Sequence, residues 1–444
     1  MWATAEEQLG APHTFVLTRM TNSILPTRAF REKLYYPSNE IPAQMNELVA
    51  ADLFSGAGGL SLGFQQAGFR VAFANDINAE YAFTYQKNHP DTRFFVESIE
   101  DLSASDIFSA TGLRKNELDV LIGGPPCQGF SINAPKRTLD DARNHLFHHY
   151  GRLVLEGIRP KVVVMENVPG MLSLDGGGFV KEIYQLFGSA GYRMWHMILC
   201  AAHYGIPQER WRLIFIGTTL KVDQITFPEP THYAPVRANF TGGRLLTWLP
   251  DIRNTNEPPH INFRPLEPFI SVKDGIGDLP RLKVREGSDD GPYTRKALNP
   301  YQETMRADSS RLYNHVAGTL SEQNLERLQH IPPGGSWRDI PKELLPRGMK
   351  RARRSDHTRR YGRINPDGLS GTILTKCDPH WGSFFHWSQD RALTVREAAR
   401  LQSFPDKYRF YGSRVSQYEQ VGNAVPPLLA QVIAEHIRKS LLNR

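Results

Sequence analysis

Three cysteines occur in 444 residues, and one of them, Cys127, closes an unusually stiff turn. The stretch 119–131 reads DVLIGGPPCQGFS: a short apolar run, two glycines, two prolines and then the thiol. Two prolines fix φ and remove backbone donors, so the thiol is held rigidly. It follows the carboxyl end of a strand, where open α/β sheets bind ligands. A cysteine kept for packing would be expected within the apolar run rather than after it. Cys127 therefore reads as a functional cysteine rather than a buried, inert one. Glu166 follows VVVM and precedes NVPG. At the end of a buried strand its charged form is penalised by desolvation, which suits a group that gives up a proton near neutral pH. Taken alone, it reads better as a salt-bridged strand end. Gln208, Arg210 and Arg212 alternate along an extended segment, so period two puts them on one face, opposite Trp211 and Leu213. Arginine forks suit carboxylates and phosphates. The bland reading of the three is a solvent-facing edge.

A second chemistry lies upstream. DLFSGAGG (52–59) joins a strand to a helix; Gly56 and Gly58 let a ligand approach the backbone, and the helix start offers free N–H groups. The run is not GxGxxG, because Ser61 stands where the third glycine belongs, which disfavours a dinucleotide. Asp76 closes the next strand and can accept hydrogen bonds from a ribose diol. Together they suggest a nucleoside-bearing ligand, against the alternative of a tight turn and a surface aspartate. His145, His148 and His149 share a helical face without an acid or thiol in company, and no CxxC pair exists. No metal site is expected.

These residues need elements to carry them. LVAADLF (48–54), RVAFAND (70–76), LDVLIGG (118–124), KVVVMENV (161–168) and RWRLIFIGT (210–218) read as buried strands. Leu60, Phe64 and Ala67 make a helical stripe stopped by Gly68, and HLFHHYGRLVL (145–155) is amphipathic. Alternating apolar strands and helices predict an α/β fold with a doubly wound, mostly parallel sheet. Beyond residue 221 prolines accumulate and periodicity is lost, predicting a second, irregular domain. Regular structure returns at LTVREAARLQSF (393–404) and in a last helix marked by Leu428, Leu429, Val432, Ile433 and Ile437. The expected divisions are an extension over 1–47, a core over 48–221, the irregular domain over 222–390 and a C-terminal segment, 391–444, that returns to the core.

Composition is that of a soluble globular chain, 40% hydrophobic and 22% charged. The net charge of +7 tilts mildly toward polyanionic partners. No run approaches a membrane span and no secretion signal opens the chain. The widely spaced, odd cysteines argue against a disulfide framework and for a reducing compartment. In 349–363, MKRARRSDHTRRYGR, seven basic residues face one aspartate. That pattern fits phosphate contacts, with a few arginines able to read guanine edges, or a solvated or disordered basic loop.

DLFSGAGG, GGPPCQGFS, ENV, QERWR, REAARLQSFP and GNAVPP, in that order, closely resemble the cytosine-C5 DNA methyltransferases over most of residues 48–438. The resemblance implies a class I, Rossmann-like methyltransferase core with a target-recognition domain. It implies S-adenosyl-L-methionine as methyl donor, leaving S-adenosyl-L-homocysteine, and a cytosine flipped out of the DNA stack. Cys127 would then add to C6; Glu166 would hold and protonate N3; Arg212 would polarise and orient the base, while Arg210 supports Glu166 and the loop. Phe54, Ser55, Gly56, Gly58, Gly59, Asp76, Ile77, Ser98, Ile99, Pro125, Asn423 and Ala424 would hold the cofactor. Asp76 would meet the ribose and Ile77 the adenine, and Ser98 stands where the family often has an aspartate. Residues 128–145, with Gln128, Ser131 and Arg137, would close over DNA, and Arg351, Arg353, Arg354, Arg359 and Arg360 would contact it. The implied partners are double-stranded DNA and a cognate restriction endonuclease, with a monomeric enzyme in a prokaryotic cytoplasm and no membrane. A tRNA-modifying relative would carry a Cys-Phe-Thr signature where Cys377 sits in TKCDPHW. A catalytically inactive DNA-binding relative would not need Cys127, Glu166 and Arg212 intact. A cysteine hydrolase would lack a histidine partner.

Overall fold

The computed structural model describes residues 47–126, 146–221, 227–236, 260–261, 264–353, 355 and 359–442. Seven strands form one sheet: β1 (Val49–Leu53), β2 (Arg70–Asp76), β3 (Arg93–Val96), β4 (Val120–Gly123), β5 (Val162–Asn167), β6 (Arg193–Cys200) and β7 (Trp211–Thr218). Their order across the sheet is β3-β2-β1-β4-β5-β7-β6. Strands β1 to β5 pair in parallel, whereas β7 runs antiparallel to both neighbours. The sequence reading found five of these strands but neither β3 nor β6. It also left unread the reversal of β7, which the site turns out to use.

Among the described residues the α-helices are, in chain order, α1 (Gly59–Gln66), α2 (Ala79–Asn88), α3 (Ala104–Thr111), α4 (Leu146–Leu153), α5 (Gly178–Ser189), α6 (Val272–Ile276), α7 (Pro300–Arg306), α8 (Glu322–Gln329), α9 (Val395–Leu401), α10 (Arg414–Asn423) and α11 (Pro427–Leu442). As the stripe Leu60, Phe64, Ala67 predicts, α1 buries that face, and Gly68 at φ +84° turns the chain out of it. One face of the sheet packs on α3, α4 and α5 through Ile107, Phe147, Tyr150, Ile183 and Phe187. The other packs on α1 and α11 through Leu60, Phe64, Leu429, Ile433 and Ile437. The central strands β1, β4 and β5 are thus covered on both sides, which is why their sequences read as unbroken apolar runs.

A third core joins the irregular segment to the C-terminal segment and to the loop after β1. It holds Ala57, Leu62, Val272, Ile276, Ile373, Leu393, Leu401 and Phe404. At its centre α9 is buried along its whole length and is capped by Thr394 and Glu397 in a reciprocal box. Arg400 of α9 reaches Asp278 and Asp406, at 2.8 and 2.7 Å, so a charged helix can be interior because each fork is met by a carboxylate. A smaller core, with Leu328, Ile331, Trp337, Tyr361 and Phe385, lies within the irregular segment.

Candidate active site

The strand order reverses between β1 and β4, and a crevice opens there at the carboxyl ends of the parallel strands, as the doubly wound fold dictates. A cleft of about 540 Å³ occupies it, within the range of small-molecule sites. Its lining comes from the ends of β1 to β5, from the start of β7 and from α10 with the turn that follows. Because β7 is antiparallel, its amino end lies at the carboxyl edge of its neighbours, and this alone brings Arg210 and Arg212 to the cleft.

At one end of the cleft stands Asp76. Its Oδ2 accepts the Gly56 N–H at 2.8 Å and its Oδ1 accepts the Asn78 N–H at 2.9 Å. Burial still pushes its carboxyl above the usual range, with these N–H groups working against that shift. A diol would add the O–H donors that such a carboxylate lacks. Beside it Ile77 is 71% exposed, an apolar side chain at the cleft wall with a face open to a flat ring. Gly56 sits at φ +55° with open space where a side chain would be, and Phe54 adopts φ +56°, a conformation costly for a bulky residue. Ser98 and Ile99 complete this wall; Ser98 Oγ caps the Glu100 N–H at 3.3 Å. From the opposite side come Asn423 and Ala424, with Gln420, whose buried Oε1 has no hydrogen-bond partner among the described residues. A nucleoside-bearing ligand fits this donor and acceptor set.

Gly58 and Gly59 serve packing as much as the ligand. A Cβ on Gly58 would strike His89, Tyr408 and Tyr85, and one on Gly59 would lie 2.3 Å from the Val425 carbonyl oxygen. Gly59 lines the cleft; Gly58 does not.

At the other end, Glu166 and Arg212 pair with Oε1 and Nε 2.5 Å apart, both largely buried. This is the salt-bridged strand end that the sequence also allows, with Arg212 as the partner. The guanidinium now supplies the counter-charge that the desolvation argument omitted. Burial pulls Arg212 below the usual arginine range and Glu166 works the other way; the side chain stays charged. Glu166 Oε2 lies over Gly124, 3.2 Å from where a Cβ would project, and so beside the turn Gly124–Pro126 that leads into Cys127. Asn167, unremarked in the sequence, fixes that turn: its Nδ2 donates to the Pro125 carbonyl at 3.2 Å.

A family model for the C-5 cytosine-specific DNA methylases matches residues 48–439. The chain belongs to that family. It is 36% identical to the type II methyltransferase M1.HphI of Haemophilus parahaemolyticus, over 89% of this chain and 88% of that one. It is 33% identical to M.AgeI of Thalassovita gelatinovora, over 88% of this chain and 99% of the relative. Among solved structures it resembles a prophage-encoded E. coli protein described as a DNA modification methyltransferase. The TM-score is 0.65 at 26% identity, covering 90% of this chain and all of that one. The protein is thus an enzyme that methylates C5 of cytosine in DNA.

Other expectations for this methylase meet the structure unevenly. Arg210 was expected to support Glu166. It is instead fully buried and donates to the carbonyls of Ile373, Gly422 and Ala424 at 3.2, 2.9 and 2.9 Å. Its work is to tie the GNAV turn to the core, because three converging carbonyls satisfy a buried guanidinium better than an already paired carboxylate would. Gln208 does likewise, donating to Leu401 and Gln402 and accepting from the Ile373 N–H. Of the three alternating residues only Arg212 meets Glu166. Tyr81 and Asn78 also line the cleft, unforeseen in the sequence. Burial and the nearby Glu419 push the Tyr81 phenol up to about 12.

Cys127, Gln128, Ser131, Arg137, His145 and Arg354 lie outside the described residues, as do residues 1–46. Arg351 and Arg353 are exposed; Arg359 pairs with Glu209 and Arg360 lies over Trp381. His148 forms an ion-pair contact with Glu182 at 3.0 Å, an acid that sequence spacing did not reveal. Among the described residues no acidic, thiol and imidazole group is clustered for a metal, and no helix is long and apolar enough to cross a membrane. Cys200 and Cys377 are buried free thiols, and burial pushes both upward, away from reactivity.

Proposed function

We propose that the protein uses S-adenosyl-L-methionine to methylate a cytosine flipped from a specific double-stranded DNA site, as the modification enzyme of a type II system. The observation that carries this reading is one cleft with two ends: a nucleoside end built on Asp76, Ile77 and Asn423, and a polar end built on Glu166 and Arg212 beside the Cys127 turn. The names of the relatives M1.HphI and M.AgeI, both type II methyltransferases, support the type II context.

When bound, the cofactor supplies an electrophilic methyl group on a sulfonium. Asp76 holds its ribose, Ile77 covers the adenine, and Phe54, Ser55, Gly56, Gly59, Ser98, Ile99, Pro125 and Ala424 shape the rest. The Cys127 thiolate adds to C6 of the base, forming a C–S bond and making C5 nucleophilic. Glu166 protonates N3 and accepts from the exocyclic amine, so the addition does not build a full anion. Arg212 orients Glu166 and the ring. After methyl transfer a base removes the C5 proton, the C–S bond breaks, the N3 proton returns to Glu166 and Cys127 leaves as thiolate. Residues 222–390 read the target sequence, and the basic run around Arg351, Arg353 and Arg359 meets phosphates.

The test is covalent capture. Duplex carrying 5-fluorocytosine at the target, with cofactor, yields a stable adduct with wild-type protein, because fluorine cannot leave as a proton. Cys127→Ala gives neither adduct nor turnover and still binds DNA. Turnover in Cys127→Ala rejects the mechanism.

A further inference from the structure

Trp381 is 53% exposed, and it has an occupant on one face already: the Arg360 guanidinium carbon lies 4.9 Å from its ring centre. The ring does not hang loose. The Trp381 backbone N–H bonds the Asp378 carbonyl, and the ring packs near-perpendicular to His380, with ring centres 5.3 Å apart. His380 Nδ1 is 2.6 Å from the hydroxyl of Tyr361, and Tyr361 is rooted in the small core with Leu328, Trp337 and Phe385. Backbone bonds from Tyr361 to Pro379 and from Gly362 to Gly382 lock the two segments together. Next to this platform Arg359 pairs with Glu209, on the segment that leads into Arg212. So the segment carrying Arg360 is tied to the segment that leads into the Glu166–Arg212 end of the cleft.

Arg360 is half-buried, yet no hydrogen bond or ion pair to its guanidinium is found among the described residues. A guanidinium stacked on an aromatic face keeps its in-plane N–H donors free and loses its rotational freedom. That is the arrangement that meets two acceptors on one base edge, and guanine O6 and N7 present such a pair in the major groove. A phosphate needs no such planar restraint. We propose that Arg360, held over the ring of Trp381, reads a guanine of the target site, with Trp381 as its positioning residue. This rests on the proposed reading of double-stranded DNA by residues 222–390.

The experiment first finds the methylated site by bisulfite sequencing of DNA from cells expressing the wild-type protein; absence of methylation there defeats the proposed function itself. Each guanine of that site is then replaced in turn by 7-deazaguanine, which lacks the N7 acceptor, and duplex binding is measured. Wild-type protein loses roughly ten- to hundredfold at one position. Arg360→Gln loses that much on the unmodified site and is insensitive to the replacement at the same position. Trp381→Ala raises KM for DNA and blunts the discrimination with kcat little changed, whereas Trp381→Phe restores it. Cofactor binding by calorimetry stays intact in all three, excluding misfolding. Equal sensitivity of wild type and Arg360→Gln at every guanine overturns the inference. So does a uniform loss across unrelated sequences, the mark of a phosphate contact.

Discussion

A carboxylate and a guanidinium in contact at a cleft end can orient a base only if both are held. Glu166 and Arg212 hold each other, and Gly124 leaves room for the carboxylate. Arg212→Lys keeps a charge but loses the planar fork, so kcat is expected to fall about 10²- to 10³-fold. Cofactor affinity measured by calorimetry should stay within a few-fold of wild type, because Arg212 is not at the nucleoside end. At this scale the sequence was most informative where a residue type is rare or costly in its setting. A cysteine after two prolines and an acid after VVVM both stand out. Asn167, Gln420 and Tyr81 did not, because their roles depend on partners brought near by the fold. The Pro125 carbonyl that Asn167 holds is 42 residues away. Arg210 shows the limit from the other side: alternation with Arg212 suggested a shared task, but its partners are carbonyls more than 160 residues downstream.

Among the elements, α1 and α11 make the closest approach. A Cβ on Gly63 would lie 2.4 Å from the Ala430 Cβ and 2.5 Å from the Pro427 carbonyl oxygen, and backbone cannot yield as a flexible side chain does. Gly63→Ala should destabilise the protein by about 1–3 kcal/mol despite the helix preference of alanine. The urea midpoint measures this. Cofactor affinity should fall with it, since α11 follows directly on the turn bearing Asn423 and Ala424. Strands with unbroken apolar runs were legible because burial on both faces demands them. Strand β3 is only four residues, and β6 mixes Trp195, His196 and Met197, partly exposed at the sheet edge, into its run. Neither pattern separates from a loop by sequence alone. The reversal of β7 was hidden for a different reason: an antiparallel strand buried on both faces has the same composition as a parallel one.

For the molecule as a whole, one buried acid sets a pH dependence. Asp52 lies beneath the glycine loop, with Oδ2 accepting the Ser61 hydroxyl at 2.7 Å and Oδ1 without a partner among the described residues. Burial pushes its carboxyl up to about 7. Between its unfolded value near 4 and about 7 the folded protein keeps a proton that the unfolded chain has released, so stability falls as pH rises through that window. Asp52→Asn keeps an acceptor for Ser61 and removes the charge. Thermal melts should show the variant gaining on wild type from pH 5 to pH 8, toward a ceiling of roughly 4 kcal/mol. A constant difference across that range would reject the buried-charge account. The cleft has a related dependence on the entire chain. Tyr408 bonds the Ala57 carbonyl across 351 residues, and Gln420, Asn423 and Ala424 complete a wall begun at Phe54. Such closure places the cost of ordering late. A ribosome therefore makes nearly all of this chain before both walls of the cleft exist, so a nascent chain lacks the completed cleft until its last residues emerge.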